Sequence, residues 1–197
     1  MKECWYGDKR DLVKWGALIQ LARAEKIDKI IQVAFFREEV ERHSLQLDDE
    51  EFPIASEVWS HFRSLHNVKA LEDSMGIEVE VIDYPFDANK RVEYVQAVQH
   101  ILQKFGEENK IVLLDPDTGI EPQKAKAEHV TVQEIKKLWA GLSSGDWLVL
   151  YQHRQRDQSW RDKTRNKFAD VCGTEYVRTF LGPKIAGDVA LFAVKKL

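Results

Sequence analysis

Short apolar runs alternate along the chain with longer segments of helical spacing. The apolar runs cover residues 30–36, 77–83, 111–114 and 147–151, and a final pair covers residues 176–180 and 188–194. Residues 111–114 are apolar without alternation, which is typical of a strand buried on both faces of a parallel sheet. Because Gly182, Pro183 and Gly187 separate the final pair, those two runs are predicted to form an antiparallel hairpin.

Amphipathic segments fill the intervals between these runs. A first helix is predicted over residues 9–24, with Asp8 as its N-cap. Its core face is predicted to carry Leu12, Trp15, Ile19 and Ala22. The further helices are predicted to begin at Pro53 and end before Gly76, to follow a cap at Asp87, to start from a capping box of Thr131 and Glu134, and to cover residues 160–171.

This order of strands and helices predicts the fold class. Alternation of helices and strands is typical of an α/β protein with a mainly parallel sheet and helices on both faces. The sequence therefore predicts a three-layer, Rossmann-like sheet with a C-terminal antiparallel strand pair. No repeat or linker divides residues 1–197, so one domain is expected. The acidic residues 44–52 are expected to form a solvated loop.

Composition limits the function only broadly. Hydrophobic residues make up 44% of the 197 residues, so a folded core is expected, and the net charge of −4 does not make the chain a polyanion binder by bulk charge. Cys4 and Cys172 lack metal-ligand spacing and are expected to be reduced thiols. No apolar signal core or membrane-spanning stretch is present in the sequence, so a cytoplasmic protein is expected.

Chemically active side chains follow two of the predicted strands. Asp115, Asp117 and Thr118 lie on the turn after residues 111–114, where Pro116 ends the strand. The strand at 147–151 runs into a second polar group, which consists of Gln152, His153, Arg154 and Arg156. Because ligands bind at the carboxyl ends of strands in open α/β sheets, these two groups are predicted to share one site.

Three kinds of chemistry fit this predicted cluster. The charges can pair in a purely structural network. The aspartates can instead hold a cation such as Mg²⁺ while arginines bind phosphate. They can also accept hydrogen bonds from the amine of a base. His153 is either held by Asp115 as a base or cation or kept neutral by burial. The basic residues 154–167 surround Trp160 and are compatible with nucleic-acid contact, although Trp160 in the core is the favoured interpretation.

Two short motifs resemble a known family. Residues 6–15, which include Asp8, Lys9, Arg10 and Lys14, resemble the N-terminal segment of bacterial large-subunit ribosomal RNA adenine-N6 methyltransferases. Residues 113–117 resemble the Asp-Pro-Pro-Tyr motif of that family, and the three-cysteine-motif partner proteins share a similar layout. The resemblance implies S-adenosylmethionine as cofactor, with Asp83 in the acidic, ribose-binding position at the end of its strand.

The sequence departs from that family at two places. Asp117 and Thr118 stand where the motif has proline and tyrosine, so the aromatic ring that stacks on the target base is missing. Arg37, Glu38 and Glu39 follow the first strand where the family has a glycine-rich loop that lets the cofactor approach the backbone. The fold can therefore be retained while the cofactor is lost.

The leading hypothesis is a methyltransferase-like protein that acts on, or binds, nucleic acid or a nucleotide. Asp115, Asp117 and His153 are its predicted catalytic residues. Its predicted substrate-binding residues are Asp8, Lys9, Arg10 and Lys14 at the mouth of the site, with Thr118, Gln152, Arg154 and Arg156. The alternatives are a metal-dependent nuclease or phosphoesterase that uses the same aspartates, and a non-catalytic partner subunit.

Overall fold

The computed structural model describes residues 7–37, 44–47, 50–53, 68–106 and 108–197. Helices and strands alternate along most of this length. In chain order they are α1 (Lys9–Glu25), β1 (Lys29–Val33), β2 (Ser44–Leu47), β3 (Glu50–Pro53), α2 (Ala70–Met75), β4 (Glu78–Ile82), α3 (Arg91–Gln103), β5 (Ile111–Leu114), β6 (Gly119–Ile120), β7 (His129–Val130), α4 (Val132–Ala140), β8 (Trp147–His153), α5 (Trp160–Cys172), β9 (Arg178–Gly182) and β10 (Ala186–Lys195).

Six strands form the main sheet in the order β4-β1-β5-β8-β10-β9. The first four are parallel, and β10 runs antiparallel to both β8 and β9. The predicted Rossmann-like α/β fold with a C-terminal antiparallel pair is confirmed. Val33, Leu114 and Leu150 are paired across β1, β5 and β8, so the carboxyl ends of these strands lie at one edge.

Apolar side chains pack on both faces of this sheet. One core contains Val98 of α3, Leu138 of α4 and Phe168 of α5. The other contains Leu18 and Leu21 of α1. The strands between them are buried on both faces, since all four residues of β5 are inaccessible to solvent. Burial on both faces explains why β5 is continuously apolar rather than alternating.

Several helix ends follow the sequence signals. The Asp8 side chain accepts a hydrogen bond from the backbone N–H of Arg10 at 2.7 Å, as expected of an N-cap. Thr131 and Glu134 form the predicted capping box of α4. Gly76 ends α2 in the left-handed conformation. The Trp160 side chain is buried, as the favoured interpretation had it.

Other expectations were wrong. Leu12 is 67% exposed, because the face of α1 that packs on the sheet is centred on Leu18 and Leu21. Asp87 accepts from the N–H of Asn89 in a turn, and α3 begins only after Lys90. The first strand ends at Val33 rather than residue 36, whereas β8 extends through His153.

The acidic segment also differs from expectation. Residues 44–47 and 50–53 pair as the antiparallel strands β2 and β3 instead of forming a loop. Pro53 pairs with Ser44 in this hairpin and does not begin a helix. The remainder of the helix predicted from Pro53, residues 54–67, lies outside the described residues. No helix in the described ranges is both long and apolar enough to cross a membrane.

Gly119 is predicted to be intolerant of a side chain. Its φ is +112°, and a Cβ would lie 2.2 Å from Oε1 of Gln152, a buried side chain that is itself hydrogen-bonded. We expect Gly119→Ala to lower the free energy of unfolding by about 1–3 kcal/mol, measured by urea denaturation. In the control Gly16→Ala, in an open position on α1, stability should stay equal or rise by up to about 1 kcal/mol. Equal effects of the two substitutions would contradict the prediction.

Candidate functional site

A pocket lies at the carboxyl ends of β1, β5 and β8, beside the beginning of α1. Its volume of ≈ 670 Å³ lies within the range of about 300–1,000 Å³ that is typical of small-molecule sites. The chain segments that meet there are the first turns of α1, the turn after β5 and the end of β8. The lining residues are Asp8, Arg10, Asp11, Lys14, Arg37, Asp115, Pro116, Asp117, Thr118, Glu128, Tyr151, His153 and Arg154.

A buried lysine joins α1 to the sheet at this pocket. Lys14 Nζ donates to Asp11 Oδ1 at 2.7 Å and to Asp115 Oδ2 at 2.9 Å. Gln32 of β1 donates through Nε2 to the same Asp115 oxygen at 2.5 Å. Lys14 is 3% exposed and Asp115 is 1% exposed. The ammonium also lies 4.6 Å from the centroid of the Tyr151 ring. Every hydrogen-bond acceptor of this ammonium is a carboxylate, so its charge is compensated within the core.

The electrostatics of this cluster keep the lysine charged. Burial opposes the charge on Lys14, but the carboxylates of Asp115 and Asp11 outweigh it and raise the pKa of Lys14. Burial also raises the pKa of the Asp115 carboxyl, which Lys14 offsets only in part and which Asp11 reinforces. The Lys14 ammonium thus pairs with two carboxylates. Because its pKa is raised, Asp115 binds a proton more readily than an exposed aspartate would.

Asp115 has one satisfied oxygen and one unsatisfied oxygen. Oδ2 accepts from Lys14 and Gln32, whereas Oδ1 has no hydrogen-bond partner among the described residues. A buried carboxylate oxygen without a partner costs roughly 1–3 kcal/mol or more. Such an atom beside a pocket calls for a functional explanation. The arrangement indicates that a ligand or solvent donor completes Asp115 from the pocket side.

Arginines surround the pocket, and most are held by carboxylates. Arg10 donates to Asp8 and to Asp188, both at 2.7 Å, which fixes its guanidinium at the rim. Arg37 pairs with Asp117. Arg154 lies exposed at the rim and forms no side-chain ion pair within the described part of the chain. Arg154 is therefore the cation that is best placed to receive an anionic group.

Two side chains from the end of β8 interact within the pocket. Residues i and i+2 of a strand face the same side, and the Tyr151 hydroxyl lies 3.0 Å from Nε2 of His153. Their rings are perpendicular, with centroids 5.2 Å apart. Burial lowers the pKa of His153, the charge of Arg10 adds to that effect, and Asp188 offsets part of it. His153 is consequently neutral near pH 7.

The structure brings most of the predicted site residues together. Eight of them line the pocket: Asp8, Arg10, Lys14, Asp115, Asp117, Thr118, His153 and Arg154. Lys14 lies buried at the floor rather than at the mouth. Four do not line it: Lys9 and Arg156 are exposed elsewhere, Gln152 is buried and bonds the backbone of Thr118 and Ile120, and Asp83 lines a separate pocket of ≈ 500 Å³.

Sequence reasoning missed several lining or supporting residues. The clearest are Asp11, Gln32, Arg37 and Tyr151. Gln32 gave a usable signal, because a glutamine inside an otherwise apolar run is rarely buried without a polar partner. Tyr151 gave none, since an aromatic residue at the end of an apolar run is typical of core packing.

The residues after β1 differ from the glycine-rich loop that the resemblance implies, and S-adenosylmethionine stays a prediction. Phe35 has a φ of +46°, a left-handed conformation that is uncommon for a bulky residue. Its N–H donates to the Tyr94 hydroxyl at 3.1 Å, and its ring lies 5.2 Å from Tyr94 and 5.4 Å from Phe86. Three buried aromatic rings thus follow β1, where the family that the sequence resembles has a glycine-rich loop.

Two carboxylates at this edge already form ion pairs with cations of the protein. Asp115 binds Lys14, and Asp117 binds Arg37. Across the described residues, no group of three or more His, Cys, Asp or Glu side chains is arranged to hold a metal ion. The Mg²⁺ alternative remains a prediction, and the described side chains supply no ready ligand set for it.

Comparisons with known proteins add little to this geometry. No family model matches the chain, and no curated protein matches it. Among solved structures, the genome packaging NTPase B204 from Sulfolobus turreted icosahedral virus 2 in complex with AMP is similar at 16% identity, covering 84% of this chain and 81% of that one, with a TM-score of 0.26. A likeness this weak carries no argument. The fold and the pocket themselves define the class, a Rossmann-like α/β protein with a charged pocket at the carboxyl edge of its sheet.

Removing the Lys14 ammonium should destabilise the fold. Lys14→Met leaves the carboxylates of Asp11 and Asp115 buried without a cation, so we expect a loss of about 3–5 kcal/mol in the free energy of unfolding. Adding Asp115→Asn should recover part of that loss, because it removes one of the two stranded charges. Urea denaturation of both single variants and the double variant measures this coupling, and additive losses would refute it.

The stability of the protein should depend on His153 in mildly acidic solution. Its pKa in the folded chain lies below the value of about 6.5 in the unfolded chain, so the unfolded chain binds the proton more readily. The stability that neutral His153 contributes is complete above about pH 6.5 and is lost as the pH falls through the folded-state pKa. As the pH falls from about 7.5 to about 5, the free energy of unfolding of His153→Asn should therefore decrease less than that of the native protein.

Urea denaturation at a series of pH values measures this difference. His100→Asn, which removes an exposed imidazole from α3, serves as the control and should follow the native pH profile. Identical profiles for His153→Asn and the native protein would show that His153 does not titrate as the geometry requires.

Proposed function

We propose that this chain binds a nucleotide, free or as a unit of nucleic acid, in the pocket between α1, β5 and β8. The observation that carries the proposal is Oδ1 of Asp115, a buried acceptor that no described residue satisfies. It lies beside a pocket whose rim holds Arg154, which has no ion-pair partner among the described residues. A ligand with an N–H group at one end and an anionic group at the other complements both. A nucleotide with an amine on its base has this polarity.

The base is assigned to the Asp115 end of the pocket. Asp115 accepts a hydrogen bond from an exocyclic amine through Oδ1, while Lys14 and Gln32 hold Oδ2 in place. The Lys14 bond keeps the carboxylate oriented, so little reorganisation is needed on binding. Pro116 and the Tyr151 ring supply the apolar lining on which a planar base can rest.

The phosphate is assigned to the rim. Arg154 is exposed and forms no ion pair with any residue that the structure describes. Arg10 lies on the same pocket with its guanidinium held between two aspartates. A guanidinium binds phosphate oxygens through paired N–H groups. Of the two, Arg154 is the better phosphate ligand, because no carboxylate has to be displaced from it.

Methyl transfer to the bound base is the finer hypothesis that the resemblance implies. The strand order and the Asp115-Pro116 turn support a shared framework with such methyltransferases. Phe35 and its aromatic partners stand where that family has a glycine-rich loop, which counts against methyl transfer. Nucleotide recognition is thus the function that the described geometry supports best, and the cofactor enters the experiment as a test ligand.

The decisive experiment compares AMP with purine riboside monophosphate, which differs from AMP by lacking the amine. We expect AMP to bind about 10-fold more tightly in isothermal titration calorimetry, the effect of one hydrogen bond to a charged acceptor. Asp115→Asn should abolish the preference for AMP. Arg154→Ala should weaken the binding of both ligands by the same factor. The control variants are Asp170→Asn and Lys136→Ala, which alter exposed residues of α5 and α4. They should change neither the preference for AMP nor the affinity for either ligand.

The same titration separates the other hypotheses. Binding of neither nucleotide, or equal binding of both, would refute the proposal. Saturable binding of S-adenosylmethionine would restore the methyltransferase hypothesis. Stabilisation by Mg²⁺ alone, lost in Asp115→Asn, would favour the metal-dependent alternative.

A further inference from the structure

Tyr151 is a buried residue whose hydroxyl has one hydrogen-bond partner in the described part of the chain. The residue is 4% exposed, and its hydroxyl lies 3.0 Å from Nε2 of His153. Burial raises the pKa of Tyr151 well above its ordinary range. The charge of Lys14 opposes this rise, whereas Asp115 and Asp11 add to it, so the phenol keeps its proton. If Nε2 carried the imidazole proton, the buried phenol proton would have no acceptor among the described residues. The hydroxyl therefore donates to Nε2.

This hydrogen bond determines where the proton of the neutral imidazole lies. A neutral histidine has one N–H and one acceptor nitrogen. With Nε2 accepting from Tyr151, the proton is on Nδ1, which has no hydrogen-bond partner among the described side chains and backbone groups. His153 lines the pocket, next in sequence to Arg154. The end of β8 thus contributes a neutral N–H donor and the Arg154 guanidinium to the same pocket.

We propose that Tyr151 is a positioning residue that holds His153 in its Nδ1–H tautomer, and that this N–H and Arg154 together bind the phosphate of the nucleotide. The inference rests on the proposed function for the identity of its ligand. The tautomer itself is a property of the free protein and is tested independently.

The charged groups around His153 agree with this assignment. Arg10 and Lys14 of α1 place positive charge near the ring, whereas Asp8 and Asp188 place negative charge. Arg10 is already paired with both Asp8 and Asp188, which limits how strongly either carboxylate can draw a second proton onto the imidazole. A neutral donor also binds a phosphate oxygen without desolvating an additional ion.

Nitrogen NMR of the histidine rings tests the tautomer. The native protein should show a protonated Nδ1 and an unprotonated Nε2 for His153, identified by the loss of its signals in His153→Asn. Tyr151→Phe keeps the ring that faces Lys14 but removes the hydroxyl, and it should shift His153 toward the Nε2–H tautomer. Tyr176→Phe, which alters an exposed tyrosine, should leave the tautomer unchanged. A native Nε2–H tautomer, or no response to Tyr151→Phe, would overturn the assignment.

Titration of AMP against adenosine tests the phosphate contact. Tyr151→Phe and His153→Gln should each weaken AMP binding by about 10-fold, as expected for a lost hydrogen bond to phosphate. The affinity for adenosine should stay within about twofold of the native value. His153→Asn places an amide N–H near the position of Nδ1 and should bind AMP within about threefold of the native protein. Equal weakening of AMP and adenosine would overturn the phosphate contact.

The two proposals fail in different ways. If the native protein binds neither AMP nor adenosine, the proposed function and the phosphate contact are both wrong, while the NMR result still decides whether Tyr151 controls His153. If AMP binds and the Nε2–H tautomer is found, the proposed function stands and the positioning role of Tyr151 is wrong. Thermal unfolding of each variant confirms that the fold is retained.

Discussion

The ion pair between Lys14 and Asp115 is the interaction on which the site depends. It connects the first helix to the central parallel strand, and both partners are almost completely buried. A buried pair of this kind adds little net stability over a well-packed apolar pair, but losing one partner is strongly destabilising. Its consequence is geometric: α1 must sit where its second turn meets the end of β5, which places Asp8 and Arg10 on the same pocket.

A cluster of aromatic rings packs after β1 at the carboxyl edge of the sheet. Phe35 turns into the core in a left-handed conformation that its hydrogen bond to Tyr94 and its contact with Phe86 support. The strain of such a conformation persists only where the surroundings determine it. The aromatic rings occupy the space beyond β1, and the pocket that Asp115 lines is on the side of β5 and β8. The charged pocket thus lies at the carboxyl edge of the sheet, the edge at which open α/β folds in general bind ligands.

Much of the order of strands and helices could be predicted from the sequence, because a strand buried on both faces appears as a continuous apolar run. The apolar run of β5 followed by Asp115 and Pro116 located both the central strand and the turn that lines the pocket. Helix faces were harder, since Leu12 has the spacing of a core residue and yet is exposed. Spacing fixes which residues share a face but not which face the sheet covers, and that choice follows from tertiary packing.

The site was predictable only in part for a related reason. Charged residues at strand ends are visible in the sequence, and their strands proved to be neighbours. The functions of Gln32 and Tyr151 depend instead on strand register: Gln32 pairs with Leu113, which brings its amide to Asp115, and Tyr151 reaches His153 only because β8 continues past residue 151. Had β8 ended at Tyr151, the i,i+2 relationship would not have put both rings on one face. Two additional strand residues thus convert an ordinary core tyrosine into a partner of the pocket histidine.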